Sequence, residues 1–293
     1  MINKIKIQEY VTPVVVTHNS VGVMDILTHN LNQFKEAIVV DNASKDDTLE
    51  KICAISPHVN IIRSHKNIGY GAANNLGAKH VKTPFVLLLN PDCKIGLDAL
   101  DSLLRTAENY PNSAVIAPQS YFINGSAQVS YRQAYYERII YKKYNVPDAV
   151  CSAKWLHGCC LLVRLDVYKL INGFDEQFFL FYEEDDLCLR VLSAGFDCLI
   201  DPGAKALHFG GRSTAISPRL AIFKNFHYAR SRCLITLKYQ GKKSSFIYRI
   251  KIFLLAPFAI FIFFVLNKKI EMNKWLGWGW FAWGWPINFL KNR

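Results

Sequence analysis

Val86-Leu87-Leu88-Leu89-Asn90-Pro91-Asp92 is an apolar run that stops on a carboxylate. Four consecutive apolar residues between Pro84 and Pro91 predict a buried strand of a parallel sheet, because a strand covered on both faces has no polar side to alternate with. Proline brings no N–H to a sheet ladder. Pairing therefore ends at Pro91, and Asp92 falls beyond the carboxyl edge of the sheet, where open α/β folds bind their ligands. A carboxylate in that place suits a divalent cation. Asn, Pro and Asp are also ordinary turn formers, and a turn without chemistry accounts for the three residues as well.

Upstream, Val11–Thr17 reads as a first strand ahead of His18-Asn19-Ser20. Val21, Met24, Leu27, Leu31 and Phe34 recur at helical spacing, and Ala37–Asp41 is a second strand. Strand, helix and strand in this order form a right-handed crossover with both strand ends on one edge. Asp41 then lies where a ribose or base is gripped; its other role is a helix N-cap, which Ser44 or Asp46 fills as easily. A third strand at 59–62 leads into Asn67-Ile68-Gly69-Tyr70-Gly71-Ala72-Ala73-Asn74-Asn75-Leu76-Gly77. These small residues let a helix start pack on a sheet while its free amides face a phosphate. The stretch has neither the Gly-x-Gly-x-x-Gly spacing of a dinucleotide fold nor the Lys-Ser/Thr of a P-loop, which argues against NAD and ATP.

Downstream, residues 128–154 carry Tyr131, Arg132, Tyr135, Tyr136, Arg138, Tyr141 and Tyr144, a composition that fits carbohydrate stacking, a lid, or a plain surface excursion. Trp155, His157 and Gly158 precede a strand at 159–163; His157 reads as a structural or acceptor-side residue rather than a metal ligand. After the apolar run 178–182, Glu183-Glu184-Asp185-Asp186 opens a helix with Leu187, Leu189 and Val191 inside. First-turn carboxylates are stabilised by the helix dipole, which explains part of the cluster without chemistry. Aromatic neighbours also desolvate a carboxylate and raise its pKa towards that of a working base.

The chain has 293 residues, 51% of them hydrophobic, and a formal charge of +12. That charge is not spread evenly. Residues 1–211 balance to −2, whereas residues 212–293 balance to +14 with Glu271 as their sole acid, and they hold five of the six Trp. This is a membrane-surface pattern rather than a nucleic-acid one, and no nucleic-acid partner is expected. From Pro218 an amphipathic helix is predicted, followed by fifteen apolar residues at 252–266. A spanning helix needs about 20 residues, so this segment suits the bilayer interface, with a buried core helix as the alternative. Trp275, Trp278, Trp280, Trp283 and Trp285 favour headgroup depth. The predicted division is 1–215 for an α/β domain and 216–293 for a helical membrane-associating region. The eight Cys have no metal-like spacing and read as reduced thiols. With no secretory signal in residues 1–10, the expected place is the cytoplasmic face of the plasma membrane, as a peripheral protein.

These residues resemble the family 2 inverting glycosyltransferases, in particular the rhamnosyltransferase-like branch that extends bacterial surface polysaccharides. The resemblance rests on Val14 to Ser20, Val39 to Ser44, Asn67-Ile68-Gly69 with Asn74-Asn75-x-Gly77, and Leu89 to Asp92. It continues in Trp155-Leu156-His157-Gly158, Gly173-Phe174-Asp175-Glu176-x-Phe178-Phe179, Glu183 to Arg190, and His208 with Gly210-Gly211-x-Ser213. It implies a GT-A fold with a mostly parallel central sheet, a nucleotide-diphospho-sugar donor, a lipid-linked or polysaccharide acceptor, and Mg2+ or Mn2+. Thr17, Asn19 and Asp41 would contact the nucleotide, and Asn67, Gly69 and Asn74 the ribose-diphosphate region. Asp92 takes the metal place of an Asp-x-Asp motif that here keeps one carboxylate, and His208 matches a position that supplies a further ligand. Trp155, His157 and Gly158 would face the acceptor. Glu184 stands where the family usually has Asp and is the expected base, with Asp186 and Glu183 as runners-up. The chemistry agrees, since sugar transfer needs a base for the acceptor proton and neutralisation of the departing diphosphate. A glycoside hydrolase would also use paired carboxylates but has no need of Asp41 and Asp92 at successive strand ends. A non-catalytic nucleotide-sugar-binding adaptor would leave the acidic run and His208 without a purpose.

Overall fold

The computed structural model describes residues 4–56, 58–133, 144–210 and 217–284. The chain begins with a short helix α1 (Lys4–Tyr10), strand β1 (Val11–Thr17), helix α2 (Met24–Leu31), β2 (Ala37–Asp41), α3 (Thr48–Ile55) and β3 (Val59–Arg63). Then come α4 (Tyr70–Ala78), β4 (Phe85–Leu89), β5 (Cys93–Ile95), α5 (Leu97–Asn109) and β6 (Ser113–Tyr121). Short strands β7 (Tyr131–Arg132), β8 (Cys151–Ser152) and β9 (Trp155–Leu156) precede β10 (Cys160–Arg164), α6 (Leu165–Leu170), α7 (Glu183–Ser193) and β11 (Asp197–His208).

Among the described residues one sheet has the order β3-β2-β1-β4-β10-β6-β11-β5, with β8 beside β11. Strands β1, β2, β3 and β4 pair in parallel, as do β6 and β11, while β10 runs antiparallel between β4 and β6. The apolar run that opens the sequence is β4, and its neighbours on both sides explain its composition. Leu87 and Leu89 turn to a core shared with Leu27 and Leu31 of α2 and Leu100, Leu103 and Leu104 of α5. Val86 and Leu88 turn to the opposite core, with Ala73 of α4 and Leu187 and Val191 of α7. Each side chain of Leu87, Leu88 and Leu89 is fully buried, which contributes about 1.5–3 kcal/mol apiece.

Small residues in α4 allow it to lie close on the sheet. A Cβ at Gly77 would stand 2.5 Å from Val14 Cγ1 and 3.0 Å from Val40 Cγ2. Asn75 meanwhile ties α4 to the turn after α6: its Oδ1 accepts from the Tyr168 hydroxyl at 2.6 Å and from the Phe174 N–H at 2.8 Å.

The chain divides into two compact units, one of residues 1–175 and 184–214 and the other of 176–183 and 215–293. Expected within the first region, the aromatic segment 176–183 belongs with the C-terminal helices α8 (Pro218–Gln240), α9 (Lys242–Val265) and α10 (Lys269–Ala282). Phe179 stacks on His227 with ring centres 4.3 Å apart, and Ser231 Oγ donates to the Leu180 carbonyl at 2.9 Å. Phe181 and Tyr182 both take left-handed backbone angles, φ 68° and 66°, conformations that cost L residues free energy and persist only where the surroundings hold them.

The apolar stretch 252–266 is the distal part of a longer helix than the sequence suggested. α9 has 24 residues, enough by length and composition to cross a bilayer, and almost none of its apolar window is buried. Phe246, Phe258, Phe261 and Phe264 are each 66–70% exposed. Pro257 lies inside α9 and withholds the N–H that would bond the Phe253 carbonyl; Trp283 Nε1 donates to that oxygen instead, at 3.5 Å. Trp275, Trp278, Trp280 and Trp283 are half-buried, and Trp275, Trp278 and Trp283 pack around Ala229, Ile252, Ala256 and Ala282. Trp285 lies outside the described residues, as do Tyr135, Tyr136, Arg138, Tyr141, Gly211 and Ser213.

Replacing Gly77 by Val should push α4 off the sheet and destabilise the protein by about 1–3 kcal/mol, read as a lowered urea or thermal midpoint. An unchanged midpoint would show that α4 has room to move.

Candidate active site

The carboxyl edge of β1, β2 and β4 gathers the first group of polar residues. Thr17 lies opposite Asp41 in the parallel register, and its hydroxyl donates to Asp41 Oδ1 at 3.3 Å. Asp41 Oδ2 accepts from the Ser44 N–H at 3.2 Å, so the carboxylate, 3% exposed, is fixed from two sides. Asn19, at φ 52°, gives its side-chain oxygen to the Lys45 N–H at 2.7 Å and its own N–H to Ser44 Oγ at 3.0 Å. Asn42 joins this cluster to the start of α4. Its Nδ2 donates to Asn67 Oδ1 at 3.0 Å and to the Gly69 carbonyl at 3.2 Å, while its Oδ1 accepts from the Ile68 N–H at 2.9 Å. Gly69 caps α4 at φ 93°, a conformation that a side chain would strain. Asn74, fully buried, donates to the Tyr70 carbonyl at 3.0 Å, and its Oδ1 has no partner among the described residues.

The second group forms where β4 stops. The turn Asn90-Pro91-Asp92 feeds directly into β5, which pairs antiparallel with β11 so that Cys93 opposes His208. Asp92, 4% exposed, therefore stands beside the imidazole, with Oδ1 3.5 Å from His208 Nε2. Gln128 settles which ring nitrogen carries the hydrogen. Its Nε2 donates to the His208 carbonyl at 2.9 Å, which directs its Oε1 to His208 Nδ1 at 3.0 Å. Nδ1 must then be the donor, and the Nε2 lone pair of a neutral ring points at a carboxylate oxygen. Two acceptors face each other, and the contact is favourable only with a proton on Nε2 or a cation between them. Burial disfavours the imidazolium, yet the Asp92 hydrogen bond, Cys159 and the Asp92 charge together lift the His208 pKa above its usual value. The pair fits a divalent cation, with an outer hydrogen bond that fixes the ligating tautomer.

The turn between β9 and β10 extends this corner. His157 meets His208 edge to face at 5.0 Å between ring centres, and its Nδ1 is buried without a hydrogen-bond partner among the described residues. Cys159 follows at the start of β10, with Sγ 3.2 Å from Ser120 Oγ. The neighbouring Cys93 and burial push its thiol up to about 12. All eight Cys are free.

The acidic run is sorted by its surroundings. Asp186 has no exposed side-chain surface and binds Arg190 Nε at 2.7 Å; Arg190 Nη1 in turn donates to the Ile171 carbonyl, tying α7 to the end of α6. Glu183 and Asp185 are 5% and 4% exposed. Glu184 alone of the four is only half-buried, and it lies against Gly158, where a Cβ would stand 3.2 Å from Glu184 Cβ. Desolvation raises the Glu184 carboxyl, opposed by the charge of Arg132. Asp185 is raised to about 8 by burial and by the Glu184 charge, again opposed by Arg132. Arg132 reaches this place because β7 pairs with β9, which sets its guanidinium 4.1 Å above the Trp155 ring. Trp155 is 6% exposed beneath it, so at this point the surface is presented by the guanidinium rather than by the indole expected to face an acceptor.

The fold is that of the GT-A-like glycosyltransferases. A mannosyltransferase from Pyrobaculum calidifontis, solved in complex with GDP-Man and Mn2+, superposes with a TM-score of 0.57 at 13% identity, over 94% of this chain and 87% of that one. Staphylococcus aureus TarS 1-349 in complex with UDP gives 0.51 at 14% identity, over 94% and 92%. Residues 13–171 match the Glycosyl transferase family 2 domain, and the chain belongs to that family. An N-acetylglucosaminyl-diphospho-decaprenol L-rhamnosyltransferase of Mycobacterium tuberculosis is 29% identical over 210 residues, 62% of this chain and 68% of the relative. The rhamnosyltransferase WbbL of Escherichia coli is 26% identical over 219 residues, 67% of this chain and 82% of the relative.

Three residues of the site have no role in the sequence reading, Asn42, Gln128 and Asp185, and Arg132 enters it only as part of an aromatic, basic stretch. Asn42 and Asp185 sit inside motifs and were readable as neighbours of chosen positions. Gln128 meets its partner 80 positions away and Arg132 acts across a two-residue strand pair, and neither carries a local signal.

Raised carboxyl pKa values make the folded protein bind protons more tightly than the unfolded chain, so stability is lost as pH rises from about 4 to 8, between the ordinary and the folded value of Asp185. Asp185→Asn should flatten that decline and melt higher than the parent at pH 8. A steeper decline in the variant would contradict the raised value.

Proposed function

We propose that this glycosyltransferase moves a hexose, rhamnose-like in character, from a nucleotide-diphosphate donor to a hydroxyl of a lipid-linked or polysaccharide acceptor, with inversion. The rhamnosyltransferase names of its relatives support the sugar, and the diphospho-decaprenol in one of those names supports a lipid-linked acceptor. The observation that carries the reading is the Asp92–His208 pair at the carboxyl edge, a carboxylate oxygen and an imidazole nitrogen 3.5 Å apart, a donor pair placed to share a divalent cation. Asp92 and His208 hold a divalent ion, Mg2+ or Mn2+. Magnesium needs only one or two protein groups beside phosphate oxygens, and the imidazole also suits manganese. When bound, the ion neutralises charge on the departing diphosphate.

Around it, Thr17, Asn19 and Asp41 receive the nucleotide, and Asn67, Gly69 and Asn74 border the ribose and diphosphate. The partnerless Oδ1 of Asn74 offers an acceptor to a ribose hydroxyl. Glu184 takes the acceptor proton. It is the least buried carboxylate of its run, and its raised pKa brings it nearer a working base. Asp186 is committed to Arg190, and Glu183 and Asp185 are too deeply buried to meet a hydroxyl. His157 and Gly158 line the path between the metal corner and Glu184, and Trp155 supports it through Arg132.

Incubation with a panel of nucleotide sugars and a lipid-linked acceptor should give metal-dependent transfer to a product of inverted anomeric configuration, read by NMR. Asp92→Ala should abolish metal-dependent nucleotide binding, and His208→Ala should weaken it. Glu184→Gln should keep donor binding and lose transfer by roughly 10²–10⁴-fold. Retained configuration, or full turnover of Glu184→Gln, would overturn the mechanism.

The C-terminal unit is proposed to hold the protein peripherally on the cytoplasmic face of an anionic membrane, through the exposed apolar surface of α9 and a tail charge of +14. The full chain should float with anionic vesicles and be only partly released by salt, since apolar insertion does not depend on ionic strength. Replacing Phe258, Phe261 and Phe264 by Ser should weaken flotation without lowering the melting point, because these rings are 67–70% exposed. A full chain that ignores such vesicles at low salt would leave α9 without this role.

A further inference from the structure

We propose that His157, Cys159 and His208 form a site for a thiophilic divalent ion of the zinc class, sharing His208 with the Asp92 corner. One ligand atom from each of the three residues lies within 4.8 Å of the other two. A tetrahedral zinc ion, with nitrogens at about 2.1 Å and sulfur at about 2.3 Å, separates its ligand atoms by roughly 3.5 Å, so closure needs side-chain adjustments of about an ångström. The three donors converge for reasons of fold. His157 and Cys159 are two residues apart on the turn into β10, and His208 ends β11.

Two of the donors are prepared for a metal, whereas the third, Cys159, must give up a proton that Cys93 and burial hold on it. His208 has its Nδ1 hydrogen committed to Gln128, which leaves Nε2 as the ligating atom. The buried Nδ1 of His157 has no hydrogen-bond partner among the described residues, and an ion bound at that nitrogen would remove the cost. Cys159 lies beside Ser120, whose hydroxyl can donate to a thiolate. As the sulfur–metal bond forms, the thiol proton leaves to solvent, so the bound species is a thiolate. Two imidazoles and a thiolate with a fourth position open are a donor set that selects zinc or cobalt over magnesium, which prefers oxygen ligands. The corner proposed to work with a hard ion thus carries a soft trap beside it. An ion held there withdraws His208 from Asp92, so zinc should antagonise the magnesium-supported form.

The proposal rests on the catalytic reading only in sharing His208, and its test does not use activity. The full-length reduced protein, titrated with Co2+, should develop a thiolate-to-cobalt charge-transfer band in the near ultraviolet together with visible bands of tetrahedral strength. Equimolar Zn2+ should displace the band, and a large excess of Mg2+ should not. Cys159→Ser should abolish it, and His157→Gln should keep it while weakening Co2+ affinity at least about tenfold. His157→Gln also serves as the decisive variant should Cys159→Ser fail to fold. Asp92→Asn should leave the band in place, even where it removes metal-dependent donor binding. Cobalt bound without a thiolate band, a band that survives Cys159→Ser or disappears in Asp92→Asn, or displacement by Mg2+ would each overturn the site. Loss of the catalytic reading alone would appear as donor binding indifferent to Asp92→Ala with the cobalt band intact.

Discussion

A carboxylate oxygen and an imidazole nitrogen 3.5 Å apart are brought together by the sheet, and the carboxylate in turn favours a proton on that ring. Asp92 is fixed by the stop of β4 at Pro91, and His208 by the pairing of β11 with β5, in which Cys93 and His208 are opposite. A slip of one residue in that pairing would send the imidazole to the other face of the sheet. Gln128 completes the arrangement with one hydrogen bond to the backbone and one to the ring of the same residue. Much of the remaining architecture serves this register. The parallel strands β1, β2 and β4 deliver Thr17, Asp41 and Asp92 to one edge, and the two apolar cores keep those strands from shifting.

The acidic helix shows how environment differentiates like residues. Four carboxylates lie in one turn, and their neighbours separate them. Asp186 has Arg190, Glu184 and Asp185 share the field of Arg132, and the helix N-terminus favours all of them. Burial then separates Glu184 from the rest, since a base must reach a hydroxyl and three of the four are closed to it.

In the C-terminal unit the aromatic residues fall into two groups. Tryptophans of α10 fill the space between helices, where Gly277 and Gly279 allow close approach, and Trp283 also meets the carbonyl that Pro257 leaves free. Phenylalanines of α9 face outward. The tryptophans, taken as membrane anchors from composition, thus have a packing role that composition could not reveal, and the exposed apolar surface belongs to α9.

The strands β1, β2, β3, β4 and β10, the crossover of β1, α2 and β2, the burial of β4 and the place of Asp92 beyond its end were determined by local sequence, because an apolar run, a periodicity and a proline act within a few residues. So was the division of charge between the two ends of the chain. The long strands β6 and β11 were not legible in it. The antiparallel insertion of β10 between β4 and β6 was not legible, since an apolar strand carries no mark of its direction. Nor was the partner of His208, the cation facing Glu184, or the soft cluster at His157 and Cys159. Those depend on pairs 80 positions apart or on short strands with little pattern, and only the assembled sheet brings them close together. Candidate polar residues could be picked out of the sequence one by one; their hydrogens, charges and exposure were decided by what the fold packed beside them.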